Sequence, residues 1–184
     1  LDEVLQEPSV KSSKVRSLRH RISRVAAIVL LLIIPTIIIL NRTKSTTDLL
    51  EDYLSIPYDT PPIARGEVDQ NSTLWSQVAL EYGNKNYNGA IASLKTIIES
   101  KETLSMAHFY SGLCYLYLEN PKPKKAISHL QKVVNSENPF REQGLWYLSL
   151  AHLKNNHEAL GKKTLESIGG YKVEEAQKLL DKLD

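Results

Sequence analysis

Val25 to Leu40 is an unbroken apolar run in which only Pro35 and Thr36 depart from aliphatic side chains and Ala. As a helix it covers about 24 Å at ~1.5 Å per residue, short of the ~30 Å hydrocarbon core of a bilayer. Extension back to Ile22 supplies the missing length, because Arg24 can return its charge to the headgroups along its aliphatic stem. A buried helix of a globular core would carry polar breaks, and this run has almost none. A cleaved signal peptide closes on a small-residue site, whereas this run closes on Leu40-Asn41-Arg42, with no Cys there for lipid attachment. Pro35 is compatible with a span, since neighbouring groups in a membrane helix re-satisfy the backbone it frees. Residues 22–40 therefore read as a transmembrane helix.

The flanks set its direction. Lys11, Lys14, Arg16, Arg19, Arg21 and Arg24 precede the span, and only Arg42 and Lys44 follow it closely. The positive-inside rule then keeps the basic tail, residues 1–21, in the cytoplasm and places the C-terminal part outside. Residues 1–44 hold eight Lys/Arg against three Asp/Glu, a net of +5, and residues 45–184 hold the other fifteen against eighteen, a net of -3. A nucleic-acid-binding domain needs its basic stripe on the folded part. Here that part is mildly acidic.

Residues 41–71 are polar, with Pro57, Pro61, Pro62 and Gly66. Thr46 or Thr47 can cap a short helix through Tyr53 or Leu54, with Asp48 favourable in its first turn. The stretch from Ile56 to Glu67 is irregular, because its prolines remove donors and restrict the residues before them. It is expected to be a stalk. Asn41-Arg42-Thr43 and Asn71-Ser72-Thr73 are formal glycosylation sequons, of use only in a eukaryotic secretory host.

Residues 72–184 repeat themselves. Trp75-x2-Val78-Ala79-x2-Tyr82 recurs as Tyr110-x2-Leu113-Cys114-x2-Tyr117 and again as Tyr147-x2-Leu150-Ala151, with Lys154 replacing the final aromatic. Each is followed by an amphipathic segment opened by a small residue: Ala90, Ala126 and Gly161, at spacings of 36 and 35. A small residue on one helix lets its neighbour approach closely. One such pair cannot bury its apolar face alone, so pairs must stack. Asn86-Tyr87, Asn120-Pro121 and Asn155-Asn156 break the chain between the helices of a pair. Val173 to Leu183 puts Val173, Ala176, Leu180 and Leu183 on one stripe with charges opposite, as a capping helix requires.

The pattern W-x2-L-G-x2-Y with a small residue opening the second helix resembles the tetratricopeptide repeat family over residues 72–184. The layout of basic flank, single span, Tyr53-x3-Pro57-Tyr58…Arg65-Gly66-Glu67 and repeats is similar to N-terminally anchored tetratricopeptide proteins of Bacteroidetes. The resemblance implies an all-α fold: about three helical hairpins and a capping helix, carried by one transmembrane helix. It also implies anchoring in a bacterial inner membrane with periplasmic repeats that bind a peptide or helix of a partner protein. Leu80, His108, Tyr115, Leu148 and His152 are the expected groove residues. The positions of a carboxylate clamp fall on Ser76, Leu80, Gly112, Leu145 and Ser149, none of them basic, so capture of a C-terminal carboxylate is not expected.

Catalytic chemistry has no carrier here. Phosphate loop, nucleophile elbow, zinc spacing and His-Glu helical motif are all missing from the sequence, and His20, His108, His129, His152 and His157 are scattered. Cys114 is the single cysteine, expected as a small core residue. The sequence therefore points to a non-catalytic adaptor or scaffold that takes no cofactor, metal, nucleic acid or small-molecule substrate. The competing readings are an anti-sigma-like transmembrane regulator, for which the tail is too short to form a domain, and a eukaryotic organelle receptor with cytosolic repeats. Orientation separates the last one: alkaline phosphatase fused after Asp184 should be active in a bacterial host, and an inactive fusion would reverse the topology.

Overall fold

The computed structural model describes residues 33–34, 49–62, 70–100 and 104–183. Within them regular structure is helical, with no strand. The helices are α1 (Gln70–Gly83), α2 (Tyr87–Glu99), α3 (Leu104–Tyr117), α4 (Pro123–Val134), α5 (Arg141–Lys154), α6 (Glu158–Glu166) and α7 (Val173–Leu183); a further helical turn covers 49–54. Two compact units divide the chain, residues 1–44 and 45–184. The basic tail and the expected span at 22–40 lie outside the described residues except for Ile33 and Ile34, which are helical and exposed. Among the described residues no helix is long and apolar enough to cross a membrane.

In the second unit the helices form three consecutive hairpins, α1–α2, α3–α4 and α5–α6, each packed on the next, with α7 against α6. Local chemistry accounts for their ends. The Asn86 side chain accepts from the Gly89 N–H at 3.2 Å and so caps α2, satisfying a donor that the first turn leaves orphaned. Pro123 opens α4 at a position where its missing N–H costs nothing. Asn138 ties two helices together, donating to the Val133 carbonyl at 2.7 Å and accepting from the Phe140 N–H at 2.9 Å.

The first and third hairpins turn identically. Lys85 and Asn156 take φ values of 58° and 59°, and the next residue donates five back, Asn86 to Glu81 at 2.8 Å and His157 to His152 at 2.9 Å. This is the left-handed cap that closes a helix on its last carbonyls. Three residues connect the helices in each case, 84–86 and 155–157, whereas five, 118–122, connect α3 to α4.

The small residues of the second helices sit where close approach demands them. Ala90 and Ala126 are fully buried, and a Cβ on Gly161 would stand 2.6 Å from Leu153. Trp75, Ala79, Tyr82, Tyr110, Cys114, Tyr147 and Ala151 are all buried in the common core, with Tyr117 packed against it. The point of closest approach in the middle hairpin is Gly112 rather than Cys114: a Cβ at Gly112 would come 2.5 Å from the Leu130 Cγ. Cys114 instead faces Tyr82 and Tyr87 of the preceding hairpin. In α7 the buried stripe is Ala176, Leu179 and Leu183, while the expected Val173 is exposed and Leu180 only partly buried. The helix lies one position round from the expected stripe, which keeps the i, i+3, i+7 spacing of a buried face.

Gly112 makes the packing testable. Replacing a mid-helix glycine by Ala normally gains about 0.5–1 kcal/mol, but overpacking a filled core costs about 1–3 kcal/mol, and Leu130 is itself fully buried with nowhere to move. Gly112→Ala should therefore lower the unfolding free energy in urea. Gly169→Ala, where nothing lies within 4 Å, should leave it unchanged.

Candidate functional site

The helix α3 has two opposed stripes. His108, Gly112 and Tyr115 face α4: the His108 and His129 Nδ1 atoms are 3.1 Å apart, Gly112 abuts Leu130, and the Tyr115 ring lies 5.5 Å from that of His129. At ~100° per residue, Tyr110 and Tyr117 stand roughly 180–200° round from His108. They carry a face that meets Trp75, Tyr82 and Tyr87 of the first hairpin and the chain's own residues 49–62.

That segment is a strap, not the free stalk its prolines suggested. Leu50 is fully buried and Pro61 buried. The Tyr58 ring sits edge-on to four others, with centroids 5.1 Å from Phe109, 6.3 Å from Tyr110, 6.1 Å from Tyr147 and 6.3 Å from Tyr171. Tyr53 meets Trp146 edge-on at 5.5 Å, with the Lys182 ammonium 5.8 Å over the Tyr53 ring. The Tyr110 hydroxyl donates to the Asp59 carbonyl at 3.1 Å, and the Tyr58 N–H donates to the Tyr117 hydroxyl at 3.4 Å. Aromatic pairs of this geometry contribute about 0.5–1.5 kcal/mol each beyond the area they bury. Rings rather than backbone bonds therefore hold the strap.

The fit leaves room. A cavity of about 320 Å³ lies between Tyr53, Pro57, Tyr58 and the residues Tyr147, Tyr171 and Lys172. A second, of about 410 Å³, lies between Glu51, Leu54 and Pro57 of the strap and Lys85, Tyr117 and Lys154. The Trp146 indole N–H is buried without a hydrogen-bond partner; such a donor carries a cost of about 1–3 kcal/mol. Burial raises the hydroxyl pKa of Tyr82, Tyr110, Tyr117 and Tyr147 above the ordinary tyrosine value, so none of them is an acid or base near neutral pH. Burial likewise pushes the Cys114 thiol up to about 12, which makes it inert. Among the described residues no three His, Cys, Asp or Glu side chains come together to hold a metal.

The expected groove residues do not converge. Leu80 is 64% exposed on α1, while His108, Leu148 and His152 are buried and Tyr115 is partly buried against His129. His108 and Tyr115 point toward α4, where both rings meet His129. Ser149, one of the clamp positions, is fully buried and donates to the Trp146 carbonyl at 2.6 Å. The residues that do form the face are Phe109, Tyr117, Trp146 and Tyr171. The available signal was Tyr53 and Tyr58 bracketing Pro57 beside Leu49, Leu50 and Leu54, more apolar surface than an exposed linker should carry. No protein-family model matches the chain, and no curated protein or solved structure shows significant similarity to it.

The histidine pair makes stability depend on pH. Burial, then His108, Lys132 and Lys125, lower His129 from the usual 6.5 to about 4, and burial, then Lys132, lower His108. The unfolded chain therefore binds more protons between those values, and stability falls as pH falls through them. Unfolding in urea should show a loss of about 1–2 kcal/mol between pH 7 and pH 5, and His129→Gln should flatten that slope.

Proposed function

We propose that this chain is a non-catalytic interaction protein of tetratricopeptide type, anchored in a bacterial inner membrane by residues 22–40. Its helical hairpins hold a segment of a partner protein on the outside of that membrane. Hairpins stacked through small residues at repeat spacings of 36 and 35 support the repeat reading, and the flanking charges support the topology. The observation that carries the binding role is the strap. A face made by the first helices of the array accommodates a Tyr- and Pro-containing segment, with side chains seated between rings. A surface that receives such a segment in cis has the shape and chemistry to receive one in trans, the mode in which peptide grooves generally work.

Site-specific crosslinking in native membranes tests this. p-Benzoylphenylalanine at position 171, an aromatic position on the strap-bearing face, should capture a partner protein. The same probe at position 124, exposed on α4, should not. Adducts formed only from position 124, or equally from both, would move partner binding off the first-helix face.

A further inference from the structure

The strap fills its site incompletely, and its shortfalls share one character. It leaves open space on both sides of Pro57, beside Tyr147 and Tyr171 on one side and beside Leu116 and Tyr117 on the other. The Trp146 N–H, fully buried where Tyr53 meets the indole, goes unanswered. Among the described residues two hydrogen bonds connect the strap to α3, one of them long at 3.4 Å, and the Tyr58 hydroxyl bonds the Gln143 side chain of α5. Leu50 is fully buried, while Ile56, between the two tyrosines, projects into solvent at 79% exposure.

Charge points the same way. Glu51, Asp52 and Asp59 make the strap acidic, and it runs past lysines from three places in the fold. Lys85 and Lys154 border the cavity that Glu51 borders, and Lys172 borders the one that Asp52 and Asp59 border. None of these approaches closes into a salt bridge among the described residues. Long-range complementarity without locked pairs contributes to attraction and orientation rather than to permanence.

We propose that residues 49–62 are a built-in, displaceable ligand, and that the partner segment which displaces them is an acidic peptide, helical at its start and irregular after it, with two aromatic side chains bracketing a proline. This rests on the reading that a partner binds the first-helix face. One aromatic takes the place of Tyr58 among Phe109, Tyr110, Tyr147 and Tyr171; the other takes the place of Tyr53 against Trp146. Seven residues of sequence separate the strap from α1, and a ligand held in cis over so short a separation acts at an effective concentration of order mM. A peptide of ~100 μM intrinsic affinity would then bind the closed protein about tenfold more weakly than an open one, because only the open fraction is competent.

The test uses the full chain in detergent micelles and a fluorescein-labelled synthetic peptide of residues 49–62, read by anisotropy. Tyr53→Ala/Tyr58→Ala in the protein loosens the strap, and this variant should bind the peptide about tenfold more tightly than the native chain. Should that variant lose its helical circular dichroism, Pro57→Gly, which loosens the strap by chain entropy alone, should still tighten binding about threefold. The peptide carrying its own Tyr58→Ala change should bind neither protein measurably. Equal affinity for native and loosened proteins, or no binding to a folded loosened protein, overturns the built-in ligand. A native dimer that falls to monomer on Tyr53→Ala/Tyr58→Ala would make a second copy the occupant and overturn the partner peptide. Crosslinking from position 171 separates the two levels. If it persists while the peptide fails to compete, the strap proposal alone falls; if both are lost, the partner-binding face falls with it.

Discussion

Everything in the second unit depends on how closely two antiparallel helices approach within a hairpin. Ala90, Ala126 and Gly161 set that distance from the second-helix side, and Gly112 completes it from the first-helix side of the middle pair. Once the backbones are that near, large residues such as Leu130 and Leu153 have a single place to go. The apolar surface left over on each pair then faces the next pair. The stacking of α3 on α2 and α5 on α4 follows, as does the need for α7 to cover the last hairpin. The aromatic face that carries the strap is a by-product of the same arithmetic. It forms where Tyr110 and Tyr117 of α3 and Tyr147 of α5 meet the rings of the first hairpin and of the strap.

The strap turns that surplus into a site. Open aromatic surface favours non-specific association, and residues 49–62 cover it without sealing it. Two tyrosines and a proline do most of the covering, at little cost in rotamer entropy because aromatic side chains have few torsions to lose. Two open clefts, the Trp146 indole and the side chains of Lys85, Lys154 and Lys172 all border the strap.

Much of this was legible in the residues, and the parts that were not have a common cause. Helices, their pairing and the small residues that space them are local properties, readable from Ala90, Ala126 and Gly161 at nearly constant intervals. The phase of each first helix is not local. It depends on what packs against each side, and His108 and Tyr115, expected in a groove, lie against His129 of α4. The strap was missed for a different reason. Its partners sit far along the chain, Tyr58 against Tyr147 and Tyr53 against Trp146, and a proline-rich stretch has no periodicity to betray an amphipathic face. The single thiol shows the reverse case: Cys114 is buried as expected, since a small apolar residue inside an apolar repeat has few alternatives.

One ring has a spectroscopic consequence. Tyr58 lies within 6.3 Å of Phe109, Tyr110, Tyr147 and Tyr171, and rings held in one fixed arrangement give a near-ultraviolet dichroic signal that disappears when tertiary packing is lost. The seating of the strap can therefore be followed optically, apart from the far-ultraviolet signal of the helical backbone.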